Sequence, residues 1–428
     1  FEALDGVEAA GFGALPDGED VHEAIETAII EAVGPVGGKM HTGRSRNDEG
    51  ATCLRYRLRE DLLEAAAGAF GFREHLAGVA ADHVATVMPG YTHLQPAQPT
   101  TVAHWLSSYV QAADRDTERL LDAYDRTNRS PLGAAAFAGT PFDVDREYTA
   151  DLLGFDGLVE NSMDAVSARD FLVESVAALA GLATTLSGLA EDLVVMANQG
   201  HVVLDDDYAS TSSIMPQKKN PDTLELVRAT AGDASAALNG LLTTLKGLPR
   251  SYNRDLQSAT GYAWEAVDAV TAATEVAGGA VATADWPVDV LEDAAADGFS
   301  TATGVADLLA MGGLPFRTAH EIVAEAAEAA ADAENGTPDL ATIEAVTADV
   351  TGDDLATYAD PAAVEAALDP VESVASRDSR GGPAPDAIAE TLDDLTASVA
   401  VDADAVEDRR TNLQHAAERR EEVVADYV

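Results

Sequence analysis

The sequence is poor in basic residues, in aromatic residues and in cysteine. Lys and Arg together number 26 against 75 Asp and Glu, so the 428 residues carry a formal net charge of -49. Proteins bind nucleic-acid phosphates and anionic membranes through Lys and Arg, and the shortage of both argues against either partner. An acidic surface of this kind is typical of proteins that work in concentrated salt, where counter-ions screen the self-repulsion.

Cysteine occurs once, as Cys53, so no intrachain disulfide can form and we expect a cytoplasmic protein. A lone cysteine is usually a small buried apolar side chain, and we predict no catalytic role for it. No signal peptide is visible. The most apolar stretch, residues 175–190, is too short for a bilayer span, so we expect no membrane partner.

Aromatic residues make up 5% of the chain, whereas hydrophobic residues as a whole make up 46%. The second figure allows a core and excludes disorder, while abundant Ala favours helices. Apolar residues recur every three or four positions between Met163 and Asn198, which predicts one long helix packed lengthwise on others. Residues 55–84, 101–129 and 222–246 have similar spacing, and no alternating strand pattern stands out. The sequence therefore predicts an all-α fold around a long helical bundle.

Polar loops rich in Gly and Pro connect these predicted helices. They cover residues 37–48, 88–100 and 205–221, and loops held by a rigid scaffold are where chemistry concentrates. The composition shifts toward Asp and Ala after Gly298. Because the sequence begins at Phe1 within a predicted helix, we expect a truncated N-terminus. The predicted domains are an N-terminal domain (residues 1–44), a central helical bundle (45–298) and a small helical C-terminal domain (299–428).

The first loop ends in the run His41-Thr-Gly-Arg-Ser-Arg-Asn-Asp48, and three more arginines follow at positions 55, 57 and 59. Five arginines within so short a span are unusual in a chain of net charge -49. Guanidinium groups bind carboxylates and other anions through paired hydrogen bonds, so the loop predicts an anion site. For the three later arginines, pairing with the surplus of Asp and Glu is the better interpretation.

The second loop contains three prolines, which stiffen it, and it presents Thr92 and His93. A rigid loop that carries an imidazole suits proton transfer. A loop histidine is nevertheless more often structural or solvated, and this segment alone leaves both interpretations open.

The third loop contains Ser212 and the adjacent pair Lys218 and Lys219, two of only four lysines in the chain. A serine near a lysine can act as a base or nucleophile, because the ammonium group stabilises the alkoxide. A lysine also pairs with a substrate carboxylate. The alternative is a polar linker that leads into a helix with Asp222 near its N-cap. Lysine at this position, in a chain that nearly lacks it, favours a functional site.

Several common catalytic motifs are missing from the sequence. It contains no Gly-rich phosphate loop, no HExxH or CxxC metal-ligand spacing and no GxSxG elbow. These absences argue against nucleotide triphosphate chemistry, zinc hydrolysis and an α/β-hydrolase.

Taken together, the three loops resemble the fumarase/aspartase superfamily. The run from Ser212 to Pro221 is similar to the signature loop that this superfamily shares. The segments that resemble the argininosuccinate lyases in particular are residues 41–48, 90–96, 161–171, 215–222, 248–257 and 313–321. The resemblance thus extends over nearly the whole chain.

This resemblance implies an all-helical fold with smaller N- and C-terminal helical domains beside the bundle. It implies a homotetramer in which central helices of four subunits form one bundle and each active site gathers loops from three subunits. The implied reaction is the reversible elimination of argininosuccinate to arginine and fumarate, the last step of arginine biosynthesis, without metal or organic cofactor. A base removes the proton next to a carboxylate, the carbanion is delocalised as a dianion, and the guanidino nitrogen leaves.

The resemblance also implies roles for individual positions. Ser212 matches the catalytic base, and Lys218 and Asn220 match the groups that activate this serine and hold the dianion. His93 matches the second catalytic residue, which Glu225 orients. The positions that match substrate-binding residues are Asn47, Thr92, Tyr252 and Gln257, with Ser45 and Arg46 in support of the carboxylates.

The chain departs from the family pattern at four positions. Thr260 stands where many relatives carry a substrate-contacting lysine, which removes one carboxylate contact unless an arginine replaces it. Glu49 stands in place of the usual Gln, and Cys53 and Ala168 each stand in place of an Asp.

Two alternatives stay open in the sequence. Adenylosuccinate lyase, another member of the superfamily, acts on a nucleotide and would need a phosphate site that we do not find. A non-catalytic, crystallin-like structural protein could lose its catalytic groups freely. The presence of His93, Ser212, Lys218 and Asn220 argues against that second alternative.

Overall fold

The computed structural model describes residues 2–331 and 336–427. Within these ranges sixteen α-helices and four short strands form, so the predicted all-α fold is confirmed. The helices are α1 (Glu2–Ala10), α2 (Val21–Val33), α3 (Arg46–Asp82), α4 (Val102–Thr127), α5 (Arg146–Leu152), α6 (Ser162–Ser167), α7 (Asp170–Gln199), α8 (Asp222–Leu245), α9 (Asp255–Ala282), α10 (Val288–Ala296), α11 (Ala302–Met311), α12 (Phe316–Ala329), α13 (Leu340–Thr351), α14 (Pro361–Ala367), α15 (Pro370–Ala375) and α16 (Pro385–Ala425). The strands form two antiparallel pairs, β1 (Val87–Thr92) with β2 (Gln95–Thr101) and β3 (Ser210–Thr211) with β4 (Lys219–Asn220).

Five long helices, α3, α4, α7, α8 and α9, form the central bundle, and α16 packs along α3 and α4. The leucine seam of α7, from Leu179 to Leu193, is fully buried in the core that these helices share. Burial of such a continuous apolar stripe is the main stabilising contribution in a bundle of this kind.

Helix α3 begins at Arg46, earlier than the predicted residue 55, because a capping box lies in the polar run before it. The Ser45 hydroxyl accepts a hydrogen bond from the backbone N–H of Asn47 at 3.3 Å. In return, the carboxylate of Asp48 accepts the backbone N–H of Ser45 at 2.8 Å. Hydrophobic periodicity does not detect such a start, since the first turn is polar.

The single helix predicted from Met163 to Asn198 is wrong at its N-terminal end, where the structure has two helices, α6 and α7. Between them Arg169 leaves the helical conformation, with φ -137°. Its guanidinium donates to the carbonyl oxygens of Ala168 (2.7 Å) and Val166 (3.4 Å), so a side chain satisfies the carbonyls that the break exposes.

The polar loop predicted over residues 88–100 is a β-hairpin in the structure. Strands β1 and β2 pair from Val87–Thr101 to Thr92–Gln95. Proline is tolerated here because both strands of a two-stranded sheet are edges, where a missing N–H disturbs no second neighbour.

A second hydrophobic core joins α11, α12, α13 and α14, around Val305, Ile322, Ile343 and Val364. Helix α16 contributes instead to the main core, through Ile388, Leu392, Leu395 and Val406. The domain limits given above stay a prediction.

The buried guanidinium of Arg73 on α3 holds α16 against the bundle. Its side chain is fully buried and forms ion pairs with Asp114 of α4 and Asp402 of α16. It also donates to the hydroxyl of Ser398 at 3.0 Å. One buried cation thus connects three helices.

Helix α7 is long and apolar enough to cross a bilayer by length and composition, with a mean hydropathy of 1.5 over its best window. From the sequence, residues 175–190 were judged too short to span a bilayer. That judgement was wrong about length, because the helix extends beyond these residues on both sides. Half of that window is buried inside the molecule, against α4, α8 and α9. This packing is that of a core helix in a bundle.

Candidate active site

The candidate residues lie at opposite ends of the bundle. One cavity is lined by Asn47 at the start of α3 and Gln257 at the start of α9, together with Arg169 just before α7. Another is lined by His93 in the β1–β2 hairpin and Gln199 at the end of α7. We call these the first and second ends of the bundle; a helix of the length of α7 separates them by about 45 Å.

The cavity at the first end has a volume of about 670 Å³. It brings together four of the predicted substrate-binding residues, Arg46, Asn47, Tyr252 and Gln257. Thr260 lies in the same wall. Ten of its sixteen lining residues carry polar or charged side chains, which suits a charged, hydrogen-bonding ligand.

Cys53 also lines this cavity and is exposed, so the expectation of a buried cysteine was wrong. It lies on α3 about two turns after the start of the helix at Arg46.

Asp48 is the buried carboxylate that fixes this end of α3. One of its oxygens accepts the backbone N–H groups of Gly133 (3.0 Å) and Ala135 (2.8 Å), and the other accepts that of Ser45. The amide of Asn47 donates to the carbonyl oxygen of Ala136 at 3.0 Å. Asp48 therefore ties the predicted substrate-binding Asn47 to a second loop, whereas the Ser45 hydroxyl is used to cap α3 and does not line the cavity.

The loop arginines are paired with carboxylates in this structure. Arg44 contacts Glu49 at 2.9 Å, and Arg46 contacts Asp20 at 3.3 Å and Glu19 at 3.6 Å. The predicted anion site at Arg46 is thus lined by acidic groups from the segment before α2.

The three helix arginines are structural, as interpreted, but only Arg57 pairs with an acid, Asp61 at 2.8 Å. Arg55 donates to the carbonyl oxygens that end α4 and lies 3.9 Å from the centre of the Phe171 ring. Arg59 donates to the side chain of Asn128 at 3.0 Å. The prediction of acidic partners for Arg55 and Arg59 was wrong because burial gave them carbonyl and aromatic partners instead.

His22 and Glu49 form a half-buried pair at the cavity rim, 3.2 Å apart. The hydrogen bond to Glu49 raises the pKa of His22 above its ordinary 6.5. Burial alone would raise the pKa of Glu49, but the bond from His22 and the charge of Arg44 lower it below its ordinary 4.5. The stabilisation from His22 is complete below pH 6.5 and is lost as pH rises through its raised pKa; that from Glu49 is lost as pH falls through its lowered pKa.

We therefore expect Glu49→Gln to lower the pKa of His22. The difference in free energy of unfolding between the two proteins should be largest between pH 4.5 and 6.5. Its pH-dependent part should be on the order of 1 kcal/mol and should shrink above the raised pKa of His22. Histidine NMR titration and urea unfolding at several pH values measure both effects. Glu26→Gln, which removes the partner of His41, is the matched control, and an unchanged His22 pKa in Glu49→Gln would contradict the pairing.

At the second end, His93 forms the tip of the β1–β2 hairpin. His93 and Leu94 both have positive φ, 56° and 58°, as a two-residue hairpin turn requires. Neither residue is glycine, so the turn is strained, and such strain is found where surrounding structure holds a functional side chain in place. His93 lines a cavity of about 430 Å³, while Thr92 occupies the last pair of the ladder and does not line it.

The third loop, predicted as a polar linker or a functional site, has defined internal contacts. The hydroxyl oxygen of Ser212 accepts the backbone N–H groups of Met215 (3.2 Å) and Ile214 (3.4 Å). The backbone N–H of Ser212 donates to the carbonyl oxygen of Lys218 at 3.0 Å. This fold of the loop keeps Ser212 and Lys218 close in space.

The two lysines of the loop differ in their surroundings. Lys219 forms an ion pair with Asp206 at 2.8 Å and donates to the carbonyl oxygen of Leu204, so it holds the loop itself. Lys218 is exposed at the loop surface. Asn220 pairs in strand β4, and Glu225 is exposed in the first turn of α8. Within the described part of one chain, Glu225 makes no hydrogen bond with His93.

Sequence reasoning missed Arg169 and the acidic residues before α2, Glu19 and Asp20, as parts of the first-end cavity. Only the folded chain brings these residues together, because they are far apart in the sequence. Among residues 2–331 and 336–427 we find no cluster of three or more His, Cys, Asp or Glu that could hold a metal ion.

Family models and solved structures that are similar to this chain indicate its class of protein. A family model described as lyase matches residues 7–235, and one described as argininosuccinate lyase C-terminal matches residues 299–375. The structure of EDDS lyase in complex with formate superposes with a TM-score of 0.91 at 33% identity, over 99% of this chain and 85% of that one. A class II fumarase from Schistosoma mansoni, at 16% identity and a TM-score of 0.64, shares the fold. The fold and the site thus define a lyase of the fumarase/aspartase superfamily.

Curated relatives specify the family further. Argininosuccinate lyase from Haloarcula marismortui is 67% identical over 426 residues, covering 100% of this chain and 85% of the relative. That from Natronomonas pharaonis is 68% identical over 425 residues, covering 99% and 85%. The chain belongs to the argininosuccinate lyase family. Both relatives come from haloarchaea, which agrees with the predicted adaptation to salt.

Proposed function

We propose that this protein carries out the reversible elimination of argininosuccinate to arginine and fumarate in the cytoplasm, with Ser212 as the base. The observation that supports this role is the set of contacts around the Ser212 hydroxyl. Two backbone N–H groups donate to its oxygen, and such donors favour the alkoxide over the neutral hydroxyl. The ammonium group of Lys218 in the same loop acts in the same direction.

Each step of the elimination can be assigned to a side chain with suitable chemistry. Ser212 takes the proton from the carbon next to a carboxylate, and Lys218 and Asn220 stabilise the dianion that forms. The bond from carbon to the guanidino nitrogen then breaks, and His93 supplies a proton to that nitrogen, since imidazole exchanges protons near neutral pH. Glu225 orients His93 from another subunit.

The amino-acid half of the substrate binds in the first-end cavity. Asn47, Tyr252 and Gln257 line this cavity together and offer amide and phenol groups to a zwitterion. Ser45 and Asp48 keep the first turn of α3 in place, and Arg46 and Thr92 complete the contacts with substrate carboxylates. The volume of about 670 Å³ is ample for an arginine.

The distribution of these residues favours an oligomer, and we propose a homotetramer. Asn47 and Tyr252 lie at the first end of the bundle, whereas His93 and Ser212 lie at the second, about 45 Å away. A substrate the size of argininosuccinate cannot extend over that distance. A complete site therefore needs the first end of one subunit beside the second end of others, which antiparallel packing of bundles supplies.

The test is fumarate production from argininosuccinate, followed by ultraviolet absorbance in concentrated potassium chloride. Adenylosuccinate, malate and EDDS serve as parallel substrates. We expect turnover of argininosuccinate at least a hundredfold faster than that of the others, since a site built for a polar group rejects analogues that leave it unpaired. Preference for adenylosuccinate or EDDS would overturn the assignment of substrate. Silence on all four, from a folded oligomer, would favour the structural, crystallin-like alternative.

A further inference from the structure

Arg169 is a buried cation without a carboxylate partner. The residue is 5% exposed, its Nε has no hydrogen-bond partner, and its guanidinium donates to two backbone carbonyl oxygens. Among the described residues, no Asp or Glu forms an ion pair with it. Arg55 and Arg59 on α3 are also buried without a carboxylate partner, but each of them lies over an aromatic ring, Phe171 for Arg55 and Phe155 for Arg59.

Burial of an unpaired charge is costly, and proteins normally neutralise the group or supply a partner. Neutralisation does not occur here, because burial lowers the pKa of Arg169 only to about 10, well above neutral pH. The other two arginines that line the first-end cavity are paired: Arg46 contacts Asp20, and Arg254 contacts Glu19 at 3.4 Å. Within the described residues of one chain, Arg169 is thus left without an anion, although it lines a cavity.

The position of Arg169 indicates where that anion comes from. Arg169 lines the first-end cavity together with Asn47, Tyr252 and Gln257. Its charge interacts with Tyr252, the one group that raises its pKa. Thr260 in the same wall carries no charge. Arg169 is thus the one cation of this cavity wall that is buried and lacks a carboxylate.

We propose that Arg169 binds the α-carboxylate of the arginine half of the substrate. The inference rests on the proposed function and extends it to a residue with no role so far. Argininosuccinate carries three carboxylates, and the two of its fumarate half face the signature loop with Lys218 and Asn220. The third belongs to the amino-acid half, which enters the first-end cavity. A guanidinium that is already held by its own backbone contacts is preorganised to receive it.

The experiment compares arginine with agmatine, which is arginine without its α-carboxylate. Binding of each to the intact wild-type oligomer is measured by isothermal titration calorimetry in concentrated potassium chloride. We expect arginine to bind roughly 30-fold or more tightly than agmatine, the range found when one partner of a buried charge pair is removed. Equal affinity of the wild type for both ligands overturns the proposal without any variant.

Arg169→Gln then tests the residue itself. We expect this variant to bind arginine and agmatine within about threefold of each other, with KM for arginine in the reverse reaction raised and kcat little changed. A merely structural role would weaken both ligands alike and leave their ratio as in the wild type, which overturns the proposal. Arg250→Gln is the matched control, since Arg250 is exposed and paired with Asp164 at 2.9 Å, and its ratio should equal that of the wild type.

Arg169→Lys covers the case in which Arg169→Gln fails to fold. Lysine keeps the charge but not the planar fork, so we expect an intermediate ratio of affinities; an unchanged ratio overturns the proposal. Calorimetry separates this inference from the proposed function. If the wild type binds arginine more tightly than agmatine but makes no fumarate, the proposed reaction is refuted and the Arg169 site stands. If it makes fumarate but binds the two ligands equally, the reaction stands and the Arg169 site is refuted.

Discussion

Replacing Ser212 by Ala is expected to reduce turnover of argininosuccinate by at least about 1,000-fold, because the base that removes the carbon-bound proton is lost. The two backbone N–H groups that donate to the Ser212 oxygen would remain without their acceptor, in a loop that is open to water. Folding should therefore be nearly unaffected. Initial rates of fumarate formation, together with circular dichroism and light scattering, measure the two expectations separately.

Ser213→Ala is the matched control for this prediction. Ser213 is adjacent and exposed, and within the described residues it makes no hydrogen bond. We expect the rate of this variant to fall by less than about tenfold, which is smaller than the loss expected when a general base is removed. Equal losses in both variants would mean that the loop backbone, and not the Ser212 hydroxyl, carries the effect.

Replacing Arg73 by Met is expected to lower the free energy of unfolding by about 3–5 kcal/mol, because two carboxylates lose their shared buried partner. Asp114 and Asp402 would then be left close together, on α4 and α16, with no cation between them. Helix α16 should detach first, since its contact with the bundle includes this ion cluster. Urea unfolding at fixed protein concentration, with hydrogen exchange of α16, measures both parts.

Arg419→Met on α16 provides the comparison with an exposed ion pair. Arg419 pairs with Asp151 at 2.6 Å, but both side chains are about half exposed. Loss of this exposed pair should cost less than about 1 kcal/mol. A similar loss in the two variants would show that burial does not decide the contribution of these pairs.

The fold class could be predicted from sequence because helical periodicity is a local signal. The leucine seam of α7 and the spacing in α4 and α8 gave helices close to those observed. The predicted helix ends were wrong where a side-chain hydrogen bond, which hydrophobic periodicity does not detect, starts or stops a helix. Arg169 ends one helix by binding carbonyl oxygens with its side chain, and the capping box of Ser45 and Asp48 starts another within a polar run.

The site could be predicted only in part. Motifs indicated the loops of Ser212 and His93, because the chemistry of each is concentrated in a short stretch of sequence. The distance between the two ends of the bundle, and the proximity of Arg169 to Tyr252, are properties of the folded chain. Burial also decided the partners of Arg55 and Arg59, which composition had assigned to acidic residues.

Cys53 provides a single site at which a thiol-reactive label can be attached to the protein. It is the only thiol of the chain and is exposed in the wall of the first-end cavity, beside the predicted binding residue Asn47. A maleimide fluorophore would attach at this one position in each subunit, and its emission would report on occupancy of the amino-acid half of the site. Surrounding protein atoms desolvate the thiol and raise its pKa, so the label attaches faster in mildly alkaline buffer than at neutral pH. A bound ligand should slow the attachment, and the unlabelled surface elsewhere gives no background.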